Sequence, residues 1–149
     1  MRRKPRANPI AEPERWYRGD QIPMAAIRKY ARQVAEQFKP DKIILFGSHA
    51  YGTPNEDSDV DLLVIMPTWS QHSMAIQIRR KIRAPFAMDL LVRTPKNIGW
   101  RLDEGESFHT EIVKRGKVLY EKINSRVGAS RRGRLASGIK TANQKRSPE

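Results

Sequence analysis

Phe46-Gly47-Ser48-His49-Ala50-Tyr51-Gly52, followed at once by a polar loop and then by Ser58-Asp59-Val60-Asp61-Leu62-Leu63-Val64-Ile65, is the stretch that decides how this chain folds. Lys42-Ile43-Ile44-Leu45-Phe46 is a short apolar run ending in Gly47, which suits a buried strand. A glycine there lets the backbone come close to a bulky anion. The turn that follows presents amide groups, and the Ser48 hydroxyl adds a donor. If residues 48–51 form a helical turn, its N-terminus is an anion site as well, and Gly52 suits a left-handed exit. Gly52, Pro54, Asn55 and Asp57 mark residues 52–58 as a loop. Val60 to Met66 is a second apolar run. Residues two apart in a strand share a face, so Asp59 and Asp61 project together and Val60 points the other way.

Reading outward, Met24, Ile27, Ala31, Val34 and Phe38 recur at helical spacing after Pro23, which predicts an amphipathic helix over 23–38, ending before Pro40. From Ser70, an N-cap residue, Met74, Ile78 and Ile82 recur every four residues and predict a second helix. Phe86 to Val92 reads as a third strand. A helix is expected after Thr94-Pro95, another over about 106–115 that stops at Gly116, and a last strand over 117–121. The fold class is α/β (α+β): a small mixed sheet flanked by helices, with both sheet faces covered, because its strands are near-continuous apolar runs.

Asp89 lies inside Phe86-Ala87-Met88-Asp89-Leu90-Leu91-Val92, a run otherwise without charge. A carboxylate in such surroundings is expected to be paired or metal-bound. Alone, Gly-Ser is an ordinary turn, Asp-x-Asp at a strand start is more often structural, and Asp89 could be a buried ion pair. A third acid on another strand changes the balance. Three converging oxygen ligands suit Mg²⁺ and would repel one another without it.

The chain has 149 residues, room for one domain with a real core, and a net charge of +13. Residues 1–18 carry six Lys/Arg against two acids, and 124–149 carry seven against one, so the high charge belongs to the ends. Residues 1–19 read as a flexible basic arm, which Trp16 and Tyr17 could pin to the domain. Residues 20–123 read as the domain, and 124–149 as a disordered basic tail. No cysteine is present, which excludes a disulfide framework, a thiolate metal site and a Cys nucleophile. No segment approaches the roughly 20 apolar residues needed to cross a bilayer, so the expectation is a cytoplasmic protein with no membrane partner.

Gly47-Ser48, then Ser58-Asp59-Val60-Asp61-Leu62-Leu63-Val64, then Asp89 resembles the DNA polymerase β-like nucleotidyltransferase superfamily, and most of all its minimal nucleotidyltransferases. The likeness spans about 24–121 and includes the closing Gly116-Lys117-Val118-Leu119-Tyr120-Glu121. It implies that Gly47 and Ser48 bind the β/γ-phosphates of ATP or another NTP. It also implies that Asp59 and Asp61 ligate two Mg²⁺ ions, and that Asp89 shares one and helps to activate the attacking hydroxyl. Position 51 is Tyr where many relatives have Arg, and His49 is read as a phosphate or backbone partner. The implied reaction transfers AMP from ATP to a hydroxyl. No acceptor-binding domain follows Glu121, so the acceptor site is expected to be shared with a second copy or another protein. In minimal members the partner is often a helical HEPN-type toxin, which implies an antitoxin role.

Two readings from other classes stand beside this one. The chain could mask a partner by contact without transferring anything, although all three acids are retained. Its basic tails could direct it to nucleic-acid ends through phosphate contacts such as Arg131-Arg132-Gly133-Arg134. The C-terminal cluster has no aromatic residue for base stacking, so a solubilising tail is favoured. A sugar-nucleotide transferase leaves Gly47-Ser48 and Asp89 without a role. Asp103, Glu104 and Glu106 read as a solvated turn and helix start. Trp69 and Trp100 read as sheet-edge packing or pocket lining. His72 and His109 have no assigned role.

Overall fold

The computed structural model describes residues 16–55 and 57–123. Helix α1 (Met24–Phe38) is followed by β1 (Lys42–Phe46), the short α2 (Ser48–Tyr51) and β2 (Val60–Ile65). Helix α3 (Gln71–Lys81), β3 (Met88–Arg93), α4 (Pro95–Asp103), α5 (Ser107–Arg115) and β4 (Lys117–Glu121) complete the domain. The first 15 residues and the stretch 124–149, where an arm and a tail are expected, lie outside the described residues. Trp16 packs against the core, with Lys29 Nζ 4.4 Å from its ring centroid. No described helix is long and apolar enough to cross a membrane.

The four strands run in the order β3-β2-β1-β4. β1 is antiparallel to both neighbours, whereas β2 and β3 are parallel, so the sheet is mixed as its sequence predicts. Alternation along the strands separates two cores. Ile43, Leu45, Leu62, Val64, Leu90 and Val92 face Ile27, Tyr30 and Val34 of α1 and Ile78 of α3. Ile44, Phe46, Leu63 and Ile65 face Ile98 of α4 and Ile112 of α5 on the other side. Each such side chain removed from water contributes about 1.5–3 kcal/mol, so packing on the sheet holds these short helices more than propensity does.

The predicted starts are visible in the caps. The Ser70 hydroxyl accepts from Ser73 N at 3.2 Å, and Thr94 Oγ1 accepts from Asn97 N at 3.1 Å, with Pro95 in the first turn of α4. α5 stops where the backbone turns extended at Gly116, and that position takes glycine because a Cβ there would stand 2.5 Å from both Ile112 O and Ile44 Cγ2. The expectation of a sheet covered on both faces holds for β1 and β2 and fails at the edges. β4 is mostly exposed, and β3 alternates between buried and open positions. Asp89 is accordingly exposed, not enclosed as its apolar neighbours suggest. An edge strand has no neighbour on its free side, and an apolar run cannot report which strand is outermost.

Candidate active site

Sheet topology gathers the predicted residues at one end. β1 ends where β2 begins, because the two are antiparallel, and β3 begins there too, because it is parallel to β2. The C-terminal ends of α3 and α5 return to the same end, since each leads into a strand that starts or pairs there. Within the sheet, Phe46 pairs with Asp61 and Asp61 pairs with Asp89, a row of three across three strands. By parity the row lies on the α4/α5 face, continuing the lines Ile44–Phe46, Leu63–Asp61 and Leu91–Asp89.

Gly47 is built into that row. Its φ of 77° and ψ of −164° lie in a region that residues with a side chain almost never occupy. A Cβ at this position would collide with Asp61 Oδ2 and lie 3.1 Å from Asp61 Cγ. The missing side chain is therefore the space that the Asp61 carboxylate uses. After Gly47 the chain makes α2, whose first backbone donors are Ala50 N and Tyr51 N, both to Gly47 O at 3.0 and 3.1 Å. The Ser48 and His49 amides precede these donors, as the leading amides of any helical turn do. Gly52 leaves the turn at φ 82°. His49, only 8% exposed, donates from Nε2 to the Ser58 carbonyl at 3.1 Å and so ties the loop back to α2. It is a backbone partner.

The row opens into a cleft of about 560 Å³. Gly47, Asp61 and Asp89 form its floor, with Phe108, Glu111 and Ile112 of α5 on one side and Arg79 of α3 on another. Phe46 and Phe108 meet edge to face, their centroids 5.8 Å apart. Tyr51 also lines the cleft and carries the Arg115 guanidinium 4.2 Å above its ring, with Arg115 bonded to Glu111 at 2.8 Å. A cation thus stands at position 51 although the residue there is Tyr. Arg79, Phe108 and Glu111 carry no sequence signal of a site, since each reads as an ordinary position on a helix.

Burial holds the Asp61 carboxyl above its ordinary value, the charges of Asp89 and Asp59 push it further up, and His49 acts the other way. Asp59 itself is exposed, one residue before β2 begins, and no ladder pairing holds it in the row. Among the described residues no group of three or more His, Cys, Asp or Glu side chains is close enough to hold a metal ion. Asp61 and Asp89 stand opposite each other in the β2–β3 ladder, and the charges of both Asp89 and Asp59 reach Asp61. Two hard oxygen donors still fit Mg²⁺, which is usually held by one or two carboxylates together with substrate phosphates.

On the far side of α5 a second polar group is structural. His109, 2% exposed, accepts from Arg93 Nε at 3.2 Å on Nε2 and donates from Nδ1 to Glu106 at 2.8 Å. Glu106 caps α5 by accepting from His109 N, and that bond foremost holds its carboxyl below the ordinary value. Glu106 is therefore tied to Arg101 and His109, not merely solvated. Trp69 and Trp100 are both exposed and neither lines the cleft.

Gly47, Asp61 and Asp89 thus stand together at one end of a small mixed sheet. The chain belongs to the nucleotidyltransferase domain family, whose profile matches residues 27–123. Two Methanocaldococcus jannaschii proteins, provisionally named protein adenylyltransferases, are similar to it. One is 27% identical over 101 residues, covering 64% of this chain and 95% of its own. The other is 32% identical over 95 residues, covering 58% of this chain and 94% of its own. Among solved structures, a provisionally named nucleotidyltransferase from Sulfolobus solfataricus is 19% identical with a TM-score of 0.47, covering 66% of this chain and 80% of that one. A toxin–antitoxin MntA–HpeT mutant is 19% identical with a TM-score of 0.43, covering 68% of this chain and 75% of that one.

Proposed function

We propose that this nucleotidyltransferase-family protein transfers AMP from ATP to a hydroxyl on a protein, in a reaction that depends on Mg²⁺. The observation that carries the reading is the Gly47–Asp61–Asp89 row. Its glycine has no room for a side chain beside the carboxylate, and its two carboxylates are fixed opposite each other by the β2–β3 ladder. Asp59, Asp61 and Asp89 would hold the metal, which would supply charge neutralisation and a more acidic acceptor hydroxyl when bound. The Ser48 hydroxyl and the leading amides of α2 hold the β/γ-phosphates. The acceptor oxygen attacks the α-phosphorus in line, forming one P–O bond while the bond to pyrophosphate breaks. The hydroxyl proton passes to Asp89, the carboxylate on the outer strand. Orientation and fixed charge do the work without a covalent enzyme intermediate.

A protein acceptor is supported by the names of the two archaeal relatives. The antitoxin role against a HEPN-type toxin is proposed on the sequence resemblance, with a second copy of the chain as the other candidate partner. The cleft supports transfer over masking by contact, because a masking surface needs no glycine at 47. Titration with ATP and Mg²⁺ is the test, run on the wild type and on an Asp59→Asn/Asp61→Asn variant. Mg²⁺-dependent binding that the variant loses is the expected result. A wild type that binds no ATP would sink the proposal.

A further inference from the structure

Among the described residues that line the cleft, Asp61, Asp89 and Glu111 are acidic and Arg79 is basic. Arg79 lines it, and among the described residues its guanidinium makes no ion pair and no side-chain hydrogen bond, although its charge reaches Tyr30. Arg115, stacked on the cleft-lining Tyr51, is already held by Glu111. Position along the sheet assigns the two sides. Gly47 and Ser48 follow β1, Asp61 is on β2 and Asp89 on β3, and α3 packs against β3. Arg79 therefore lines the β3 side of the cleft, away from the turn that follows β1, and reaches it from the helix on the other sheet face. The residues following it, Arg80 and Lys81, line a second groove of about 690 Å³ with Gln37, Phe38 and Gln77, between α1 and α3. Neither has an ion-pair partner among the described residues.

The turn that carries Arg79 is anchored. Tyr30, fully buried, donates its hydroxyl to Ile82 O at 2.8 Å, and Ile82 N closes back on Ile78 O at 2.9 Å. This fixes the backbone that carries Arg79, while its exposed guanidinium is ordered only when a ligand pairs with it.

We propose that Arg79 reads the acceptor, and that the acceptor is a polypeptide hydroxyl flanked by carboxylate side chains. The inference rests on the transferase reading above and adds the acceptor's chemistry to it. A carboxylate beside the hydroxyl pairs with Arg79 while the hydroxyl oxygen reaches the α-phosphorus past Asp89. Arg80 and Lys81 receive further acids where the segment crosses α3. Arg79 is a specificity-determining residue here, and the nucleotide is held at the other end of the row.

The test uses the full chain, Mg²⁺ and ATP labelled at the α-phosphate. The acceptors are synthetic peptides in which Ser, Thr and Tyr are flanked either by Glu or by Gln. Wild type is expected to label the Glu-flanked set with an acceptor KM about tenfold lower, the worth of one charge-assisted hydrogen bond. Arg79→Gln should erase that preference, and Arg79→Lys should keep most of it, with the KM for ATP unmoved in both. A merely structural role would move both KM values and the melting temperature. Equal labelling of the two sets, or none by a wild type that binds ATP, overturns the proposal. If wild type binds no ATP, the transferase reading fails and takes this one with it.

Discussion

Replacing Gly47 with Ala tests the centre of the argument. Two separable costs follow from the geometry. An alanine held at φ 77° and ψ −164° stores strain of about 1–3 kcal/mol whatever surrounds it. The new methyl group also meets the Asp61 carboxylate, which must turn out of the row. Together these make about 3 kcal/mol a reasonable expectation. For a domain of about a hundred residues each kcal/mol moves Tm by about 4–8 °C, so Tm should fall by more than about 10 °C. Calorimetry on Gly47→Ala, Asp61→Ala and the double variant separates the costs. With Asp61 shortened the collision disappears and only the backbone strain remains, so the double variant should melt higher than the two single losses added together. Gly47→Ala should also lose ATP binding under conditions where it is fully folded. A Gly47→Ala protein that melts within a degree of wild type would refute the reasoning.

Other expectations can be checked by melting alone. Asp61→Asn should raise Tm in metal-free buffer at neutral pH, because a carboxyl whose value is raised on folding opposes the fold when ionised. That advantage should shrink as pH falls into the ordinary carboxylate range, where wild-type Asp61 is protonated; a gain that grows on acidification would contradict it. Glu106 has the opposite sign, its value being lowered on folding. Glu106→Gln should therefore lower Tm at neutral pH, with the difference closing as pH drops below the carboxylate range. Tyr30→Phe removes the hydrogen bond from the buried Tyr30 hydroxyl to the Ile82 carbonyl, which should cost about 1–3 kcal/mol, read as a lower midpoint in urea with an unchanged slope.

Most elements were legible in the sequence because local signals agree with the final packing. Ile27, Ala31 and Val34 repeat at the helical period and do face the sheet, and Ser70 and Thr94 do cap the helices that follow them. Gly47 and Gly52 stand where the backbone takes positive φ, a demand that is local and so visible in residue type. Strand order is not local. Nothing in Phe86–Val92 says that β3 is the outer strand, and so Asp89 was expected among apolar neighbours and is instead open to the cleft.

The composition of the cleft wall was equally out of reach. Arg79 comes ten residues before Asp89, and Phe108 and Glu111 lie further along the chain, on helices whose pattern records only which face is apolar. His109 looked idle because its partners, Arg93 and Glu106, come from a strand end and a helix cap that meet only in the fold. Sequence alone determined the elements, the glycine turn and the identity of the acids, because backbone conformation and burial period are written in neighbouring residues. Tertiary structure decided which acids stand opposite each other, which one has no ladder partner and which cation lines the same cleft, because those relations arise only when the parallel pairing of β2 with β3 and the returns of α3 and α5 close around one end of the sheet.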